Sequence, residues 1–308
     1  MTHLSLRILT DGSLNPQCLF MSVNTMIKIR LMDLTDLPQA MNLSQNEGWN
    51  QTERDWRLLL DNPENKCLVA VYRDKVIGTA TAINYSDLEV WIGMVLVDKD
   101  LRRQGIGSML VEAIIGLFKG IKSVKLDATP AGIHVYEKIG FIEERLLYRM
   151  VCHSFKGISY KEIESGPEPV RLADLDELIE LDKEIFGVGR RSLLETIIRN
   201  YQGKAFLLRR NGKISGYILG RDGVRYNYTG PVFVSSWEDA RELVSEAFHQ
   251  LKNKDIAIDV HADKLEMINW LEDLGFIRQR HFTRMYLGHN PFPGYIENQY
   301  FIAGPEYG

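Results

Sequence analysis

Cysteine is scarce. Cys18, Cys67 and Cys152 are too scattered for a disulfide framework, and no two stand at the spacing of a zinc-ligand pair. A reducing, cytoplasmic setting is therefore expected. No metal centre is expected either, because the histidines, His134 and His261 among them, also lack ligand spacing. No stretch approaches the ~20 apolar residues of a membrane helix. Residues 1–25 hold scattered leucines and Phe20, but Asp11, Gly12, Asn15 and Pro16 interrupt them before a signal-peptide core forms. A large net charge is lacking too, since a balance of −4 gives no field that would draw nucleic acid or an anionic membrane. What remains is an ordinary globular mixture, 45% hydrophobic and 25% charged, in a chain of 308 residues that is long enough for two cores.

Hydrophobic spacing lays out the elements. Residues 27–31 alternate as a strand, and Asp33 or Thr35 can cap a helix that turns Leu37, Ala40, Met41 and Leu43 inward. A polar turn over 47–52 precedes a helix over 53–60, closed by Asp61-Asn62-Pro63. Residues 67–72 and 75–83 read as a hairpin across Arg73-Asp74, and 88–97 as a third strand. A helix over 108–119 carries Met109, Leu110, Ala113, Ile114, Leu117 and Phe118 on one wide apolar face. A strand over 124–128, a helix over 132–138 and a strand over 141–151 follow.

Residues 154–169, with Gly157, Gly166, Pro167 and Pro169, read as a linker, after which the pattern begins again. Arg30-Leu31-x-Asp33-Leu34-x-x-Leu37 returns as Arg171-Leu172-x-Asp174-Leu175-x-x-Leu178, and Val95-Leu96-Val97 returns as Val232-Phe233-Val234. Gly140-Phe141 with Arg149-Met150 returns as Gly275-Phe276 with Arg284-Met285. The offset runs from 135 residues (275 against 140) to 141 (171 against 30), which is one domain rather than a solenoid repeat. The expected organisation is an extension over 1–25, a domain over 26–153, the linker, a second domain over 170–288, and an aromatic segment over 289–308 that docks on the body. The expected fold class is α/β (α+β): tandem domains, each a mixed, mostly antiparallel sheet flanked by helices.

Between Val95 and Ser108 an apolar strand breaks into a basic, glycine-punctuated loop that opens into a helix. The loop reads as an anion cradle. Gly105 and Gly107 let the backbone approach a ligand, the first N–H groups of the helix have no partner within it, and Arg102 and Arg103 add charge. The second copy, Ser235-Ser236-Trp237-Glu238-Asp239-Ala240-Arg241, has no glycine and sets two acids at the equivalent place, so it is expected to repel an anion.

The pattern at Arg102, Gly105 and Gly107 resembles the acetyl-CoA pyrophosphate loop of the GNAT superfamily, the GCN5-related N-acetyltransferases. The resemblance covers 26–151 well and 170–287 more faintly, and it is similar to a bacterial two-domain type with a degenerate second copy. It implies an acetyl-CoA-dependent N-acetyltransferase acting on a primary amine, preferably of a small molecule, by direct attack in a ternary complex. The alternatives are a catalytically silent CoA-binding sensor or interaction module, and a nucleotide-phosphate site of another kind. The cofactor would be held by Met94, Val95, Val97, Arg102, Arg103, Gln104, Gly105, Ile106, Gly107 and Ser108, with Val95 and Val97 pairing as though the pantetheine were an added strand and Gly93 marking a bulge. Tyr136, before Gly140-Phe141, occupies the position of the family's acid for the departing thiolate. Glu89 is the first candidate base and Glu47 the second; a water chain is the third possibility. Glu47, Trp49 and Trp91 lie where the family's acceptor site lies, while Trp56 is assigned to the core. Only one strand fits between Gly140 and the linker where the family often has two, so the missing strand is expected from the other domain or the 289–308 segment.

Overall fold

A computed structural model describes residues 27–158 and 166–308; the extension expected over 1–25 and the middle of the expected linker lie outside the described residues. The first repeat runs β1 (Lys28–Leu31), α1 (Leu37–Asn46), α2 (Glu53–Leu60), β2 (Lys66–Tyr72), β3 (Lys75–Tyr85), β4 (Glu89–Val97), α3 (Ile106–Gly116), β5 (Ser123–Ala128), α4 (Ile133–Ile139) and β6 (Phe141–Cys152). The second runs β7 (Glu168–Pro169), α5 (Leu175–Phe186), α6 (Arg191–Asn200), β8 (Phe206–Arg210), β9 (Lys213–Arg221), β10 (Asn227–Val234), α7 (Trp237–His249), β11 (Ile256–His261), α8 (Leu265–Asp273) and β12 (Ile277–Leu287), with a short β13 (Gln299–Phe301) after it.

The repeated Arg-Leu-x-Asp motif acts the same way in both copies. Asp36 accepts from the Asp33 N–H at 3.0 Å and Asp174 from the Arg171 N–H at 2.8 Å, so each carboxylate turns the chain from a strand into the first long helix. Thr52 and Asp55 cap α2 reciprocally, the Thr52 N–H reaching Asp55 at 2.7 Å.

One thirteen-stranded sheet unites the described residues in the order β1-β2-β3-β4-β5-β12-β6-β11-β13-β10-β9-β8-β7. Setting β13 aside, the order is the same read from either edge once each strand is replaced by its repeat, which is a pseudo-two-fold axis between β12 and β6. The last strands are exchanged across that axis: β12 pairs with β5 and with β6, and β6 pairs with β11. The strand missing from the first domain is therefore β12 of the second.

The repeated Arg-Met pair anchors the exchange. Arg284 on β12 grips Asp127 on β5 at 2.9 and 3.0 Å, and Arg149 on β6 grips the equivalent Asp259 on β11 at 2.8 and 2.6 Å. All four side chains are nearly or fully buried, and such a pair is costly to break because removing one partner strands the other's charge. The core is likewise shared: Tyr85 and Trp91 of the first repeat pack on Phe186 of the second, with ring centroids 5.8 and 6.0 Å apart.

Candidate active site

The sheet opens at the middle of β4. β4 and β5 run in parallel register from Glu89↔Ser123 to Ile92↔Leu126 and then separate. On the other side β3 and β4 lose register between Thr79 and Thr81, where Met94 takes φ +48° and its carbonyl accepts from Thr79 Oγ1 at 2.7 Å. From Gly93 to Val97 the β5-facing edge has no strand partner among the described residues, which leaves it available to an extended ligand. The bulge lies at Met94 rather than at Gly93. Gly93 is glycine for another reason: a Cβ there would stand 2.8 Å from Glu306 Cα, because residues 302–308 pass directly over it.

Below the opened edge lies the cradle. Gly105, at φ +81°, is the N-cap of α3, and the helix's hydrogen bonding starts with Met109 N–H to Gly105 O at 3.0 Å. The N–H groups of Ile106, Gly107 and Ser108 are therefore free of helical partners and point out of its N-terminus. The helix begins two residues earlier than its apolar face suggests. A Cβ on Gly107 would touch only Val97, at 3.8 Å, so a phosphate could approach the backbone there. Arg102 and Arg103 are exposed beside these donors, Gln104 is half-buried, and Ile106 sends its side chain into the core and offers only its backbone. These residues fit the pyrophosphate of a CoA thioester.

Tyr136 lines the pocket above the cradle with Ile92, Gly93, Met94, Val95 and Thr129. Its ring packs against Phe141, and Gly132 leaves it room, since a Cβ there would lie 2.9 Å from the ring. The hydroxyl has no hydrogen-bond partner among the described residues, and burial holds the phenol protonated by pushing its pKa up. Trp49 lines the same pocket, half-buried.

Three expected site residues lie elsewhere. Glu89 sits at the closed end of β4, where its buried carboxylate is spent on Lys125 at 3.1 Å and Ser123 at 2.9 Å, so it does not face the opening. Trp91 is fully buried and donates from Nε1 to Pro305 O at 2.9 Å; it holds the 302–308 segment rather than an acceptor. Glu47 is drawn to the cradle side by Arg102, with Lys99 3.6 Å away. Pocket residues that sequence reasoning did not assign to the site include Gln51, Asp127, Arg149, Arg280, Phe282 and Glu306. Two arrive on the exchanged strand β12 and one on the terminal segment; the repeated Arg149-Met150 and Arg284-Met285 pairs were the available signal.

The second repeat closes the equivalent opening with its own chain. β10 and β11 pair only over Asn227↔Ile256 and Tyr228↔Ala257, and beyond that β13 inserts, with Val232 against Phe301 on one side and Val260 against Phe301 on the other. At the start of α7 Ser236 Oγ accepts from the Asp239 N–H at 3.1 Å, so a side chain takes a donor that the first repeat leaves free.

Residues 31–141 match the Acetyltransferase (GNAT) family and residues 178–301 match an Acetyltransferase (GNAT) domain. The uncharacterized N-acetyltransferase YitH of Bacillus subtilis (strain 168) is 27% identical over 185 residues, which is 60% of this chain and 65%, just under two thirds, of that relative. Holothin acyltransferase of Pseudoalteromonas sp. (strain SANK 73390) is 25% identical over 249 residues, 80% of this chain and 82% of that one. A putative acetyltransferase from Pyrococcus horikoshii shares the fold with a TM-score of 0.77 at 22% identity, over 96% of this chain and 99% of that one. A tandem GNAT protein from the clavulanic acid biosynthesis pathway does so with a TM-score of 0.61 at 14% identity, over 86% of this chain and 99% of that one.

Proposed function

We propose that this chain, which belongs to the GNAT acetyltransferase superfamily as a two-domain member, moves an acetyl group from acetyl-CoA to the primary amine of a small molecule by direct attack in a ternary complex. The observation that carries the reading is that three features adjoin one another: the free N–H groups at 106–108 next to Val97, the unpaired edge of β4 from Gly93 to Val97, and Tyr136 in the pocket that this edge lines. Acetyl-CoA supplies the activated acyl group. The cradle would bind its pyrophosphate, and the Val95 and Val97 backbone would orient the pantetheine arm. Tyr136, kept protonated by burial, would give its proton to the departing sulfur in a site that excludes water. The small-molecule preference rests on the segment over Gly93, which narrows the pocket from above. Only the first repeat would bind cofactor, since β13 fills the second opening.

Thiol release from acetyl-CoA across a panel of amines tests the reading. Turnover on at least one amine is expected, with Tyr136→Phe lowering kcat by ~100-fold or more and leaving acetyl-CoA affinity unchanged. Binding without turnover on every amine, indifferent to Tyr136→Phe, would instead identify a CoA sensor.

A further inference from the structure

The 302–308 segment is fixed rather than draped. Trp91 Nε1 donates to Pro305 O, Tyr85 OH to Tyr307 O at 2.6 Å, and Arg190, itself paired with Asp182, to Gly308 O at 3.0 Å. Arg221 on β9 holds the segment's centre, donating to Asp55 at 2.9 Å, to Ala303 O at 2.6 Å and to Glu306 Oε1 at 2.7 Å. One guanidinium thus faces two carboxylates, an arrangement one positive charge short of neutrality.

The other oxygen of that carboxylate is unused. Glu306 is 2% exposed and lines the pocket, yet its Oε2 is buried with no hydrogen-bond partner. The Gln51 amide is a weak donor to the Glu306 carboxylate that favours its charged form, and its own Oε1 is buried and unpartnered in the same pocket. A buried carboxylate oxygen with no well-formed hydrogen bond and a buried amide oxygen with none are costly unless a ligand supplies donors, and an ammonium brings three. Burial pushes the Glu306 carboxyl up against the pull of Arg221, which makes it a better proton acceptor than an ordinary exposed carboxylate.

The remaining charges at the pocket are spent, with one exception. Asp127 is matched by Arg284 and Arg149 by Asp259. Arg280, half-buried on β12, forms no ion pair among the described residues and reaches only Gln279 at 3.4 Å. Burial and the nearby Arg149 charge lower its pKa, and a bound anion would relieve both.

Resting on the acetyl-transfer reading, we propose that Glu306 receives the acceptor's ammonium and that Arg280 holds an anionic group on the same molecule, so that the acceptor class is an amino carboxylate. One ammonium proton passes to Glu306 Oε2. The freed nitrogen bonds the acetyl carbon as the carbon–sulfur bond breaks with its electron pair on sulfur. The nitrogen's second surplus proton reaches that sulfur through Tyr136, leaving the amide, the free thiol and a protonated Glu306 that returns its proton to water. The segment that follows the second repeat would thereby supply the base, and β12 of that repeat the anion's partner.

The full chain is assayed for thiol release with glycine, 4-aminobutyrate and L-lysine against ethylamine and butylamine. The amino carboxylates are expected to exceed the matched amines in kcat/KM by at least ~10-fold, the worth of one placed charge contact. Glu306→Gln, which keeps the side-chain shape, is expected to lower kcat by ~100-fold or more on every acceptor while calorimetric acetyl-CoA affinity stays at the wild-type value. Glu306→Asp should restore part of the loss. Arg280→Gln should raise KM for amino carboxylates ~10-fold more than for matched amines. Wild-type turnover in Glu306→Gln, or equal use of both acceptor classes, overturns the proposal and leaves the acetyl-transfer reading standing. Absence of acetyl-CoA binding by the wild type defeats that reading instead. If acetyl-CoA binds but no acceptor turns over, calorimetry of 4-aminobutyrate with CoA present decides: binding lost in Glu306→Gln supports the proposal, and no binding to the wild type overturns it.

Discussion

Arg221→Met should destabilise the fold more than any surface charge deletion, and the geometry sets the size. The substitution removes three hydrogen bonds, at 2.6 to 2.9 Å, from a guanidinium that is 4% exposed, and leaves Asp55, Glu306 and the Ala303 carbonyl buried with less support. Breaking a buried ion pair from one side costs about 3–5 kcal/mol. For a chain of this size each kcal/mol moves the melting temperature by ~2 °C, so a fall of roughly 6–10 °C is expected. The deficit should depend on pH in a defined direction. Arg221 lowers the Glu306 carboxyl, so its removal raises the folded-state pKa further above the unfolded one. A raised pKa gives stability that is complete at low pH and is lost as pH climbs through it, so the gap between variant and wild type should narrow from pH 7.5 to pH 5. Thermal or urea unfolding measures both effects. Adding Glu306→Gln to Arg221→Met should recover part of the loss, because one of the stranded charges is gone. A melting temperature within ~2 °C of wild type, or a gap that widens on acidification, would refute the reasoning.

Two further outcomes are expected. His261 is fully buried with both ring nitrogens unpartnered, and burial with the charges of Arg284, Arg145 and Lys264 holds its pKa well below the ordinary value. The unfolded chain therefore binds a proton that the folded one refuses, and stability should fall below pH ~6.5; His261→Leu should lose about 1 kcal/mol less than wild type between pH 6.5 and 5.5, and equal losses by urea unfolding would count against the assignment. Ending the chain after residue 153 removes β12, opens the edges of β5 and β6 and strands Asp127, so the product should aggregate or bind acetyl-CoA poorly; a soluble fragment with wild-type affinity would contradict the exchanged-strand account.

Much of this architecture was legible because it is local. The capped helix over 53–60 falls where Thr52 and the terminating Asp61-Asn62-Pro63 put it, and the cradle is set by Gly105, whose positive φ only glycine adopts without strain. Helix α3 starts earlier than its apolar pattern because Gly107 contributes nothing to a hydrophobic face. The site itself was less legible. β4 is buried on both faces, so alternation does not say which of Glu89, Trp91 or Met94 stands at the opening; that is decided by where β5 parts from it. Glu306 and Arg280 come to the pocket through contacts across more than 130 residues, along an exchanged strand and a segment that no local pattern ties to the first domain. The loss of glycine at 235–241 was visible, but that β13 would occupy the vacated slot was not.

The central claim is one cofactor site, in the first repeat, built on the backbone at 105–108. Calorimetric titration of the full chain with acetyl-CoA tests it, alongside Gly107→Val. That position has space for a side chain in the fold, since a Cβ there meets only Val97 at 3.8 Å, but none once a phosphate approaches. The account predicts one site per chain, and an affinity at least ~100-fold weaker in Gly107→Val, equivalent to about 2.7 kcal/mol, with little change in melting temperature. Two sites per chain, or wild-type affinity in the variant, would contradict it.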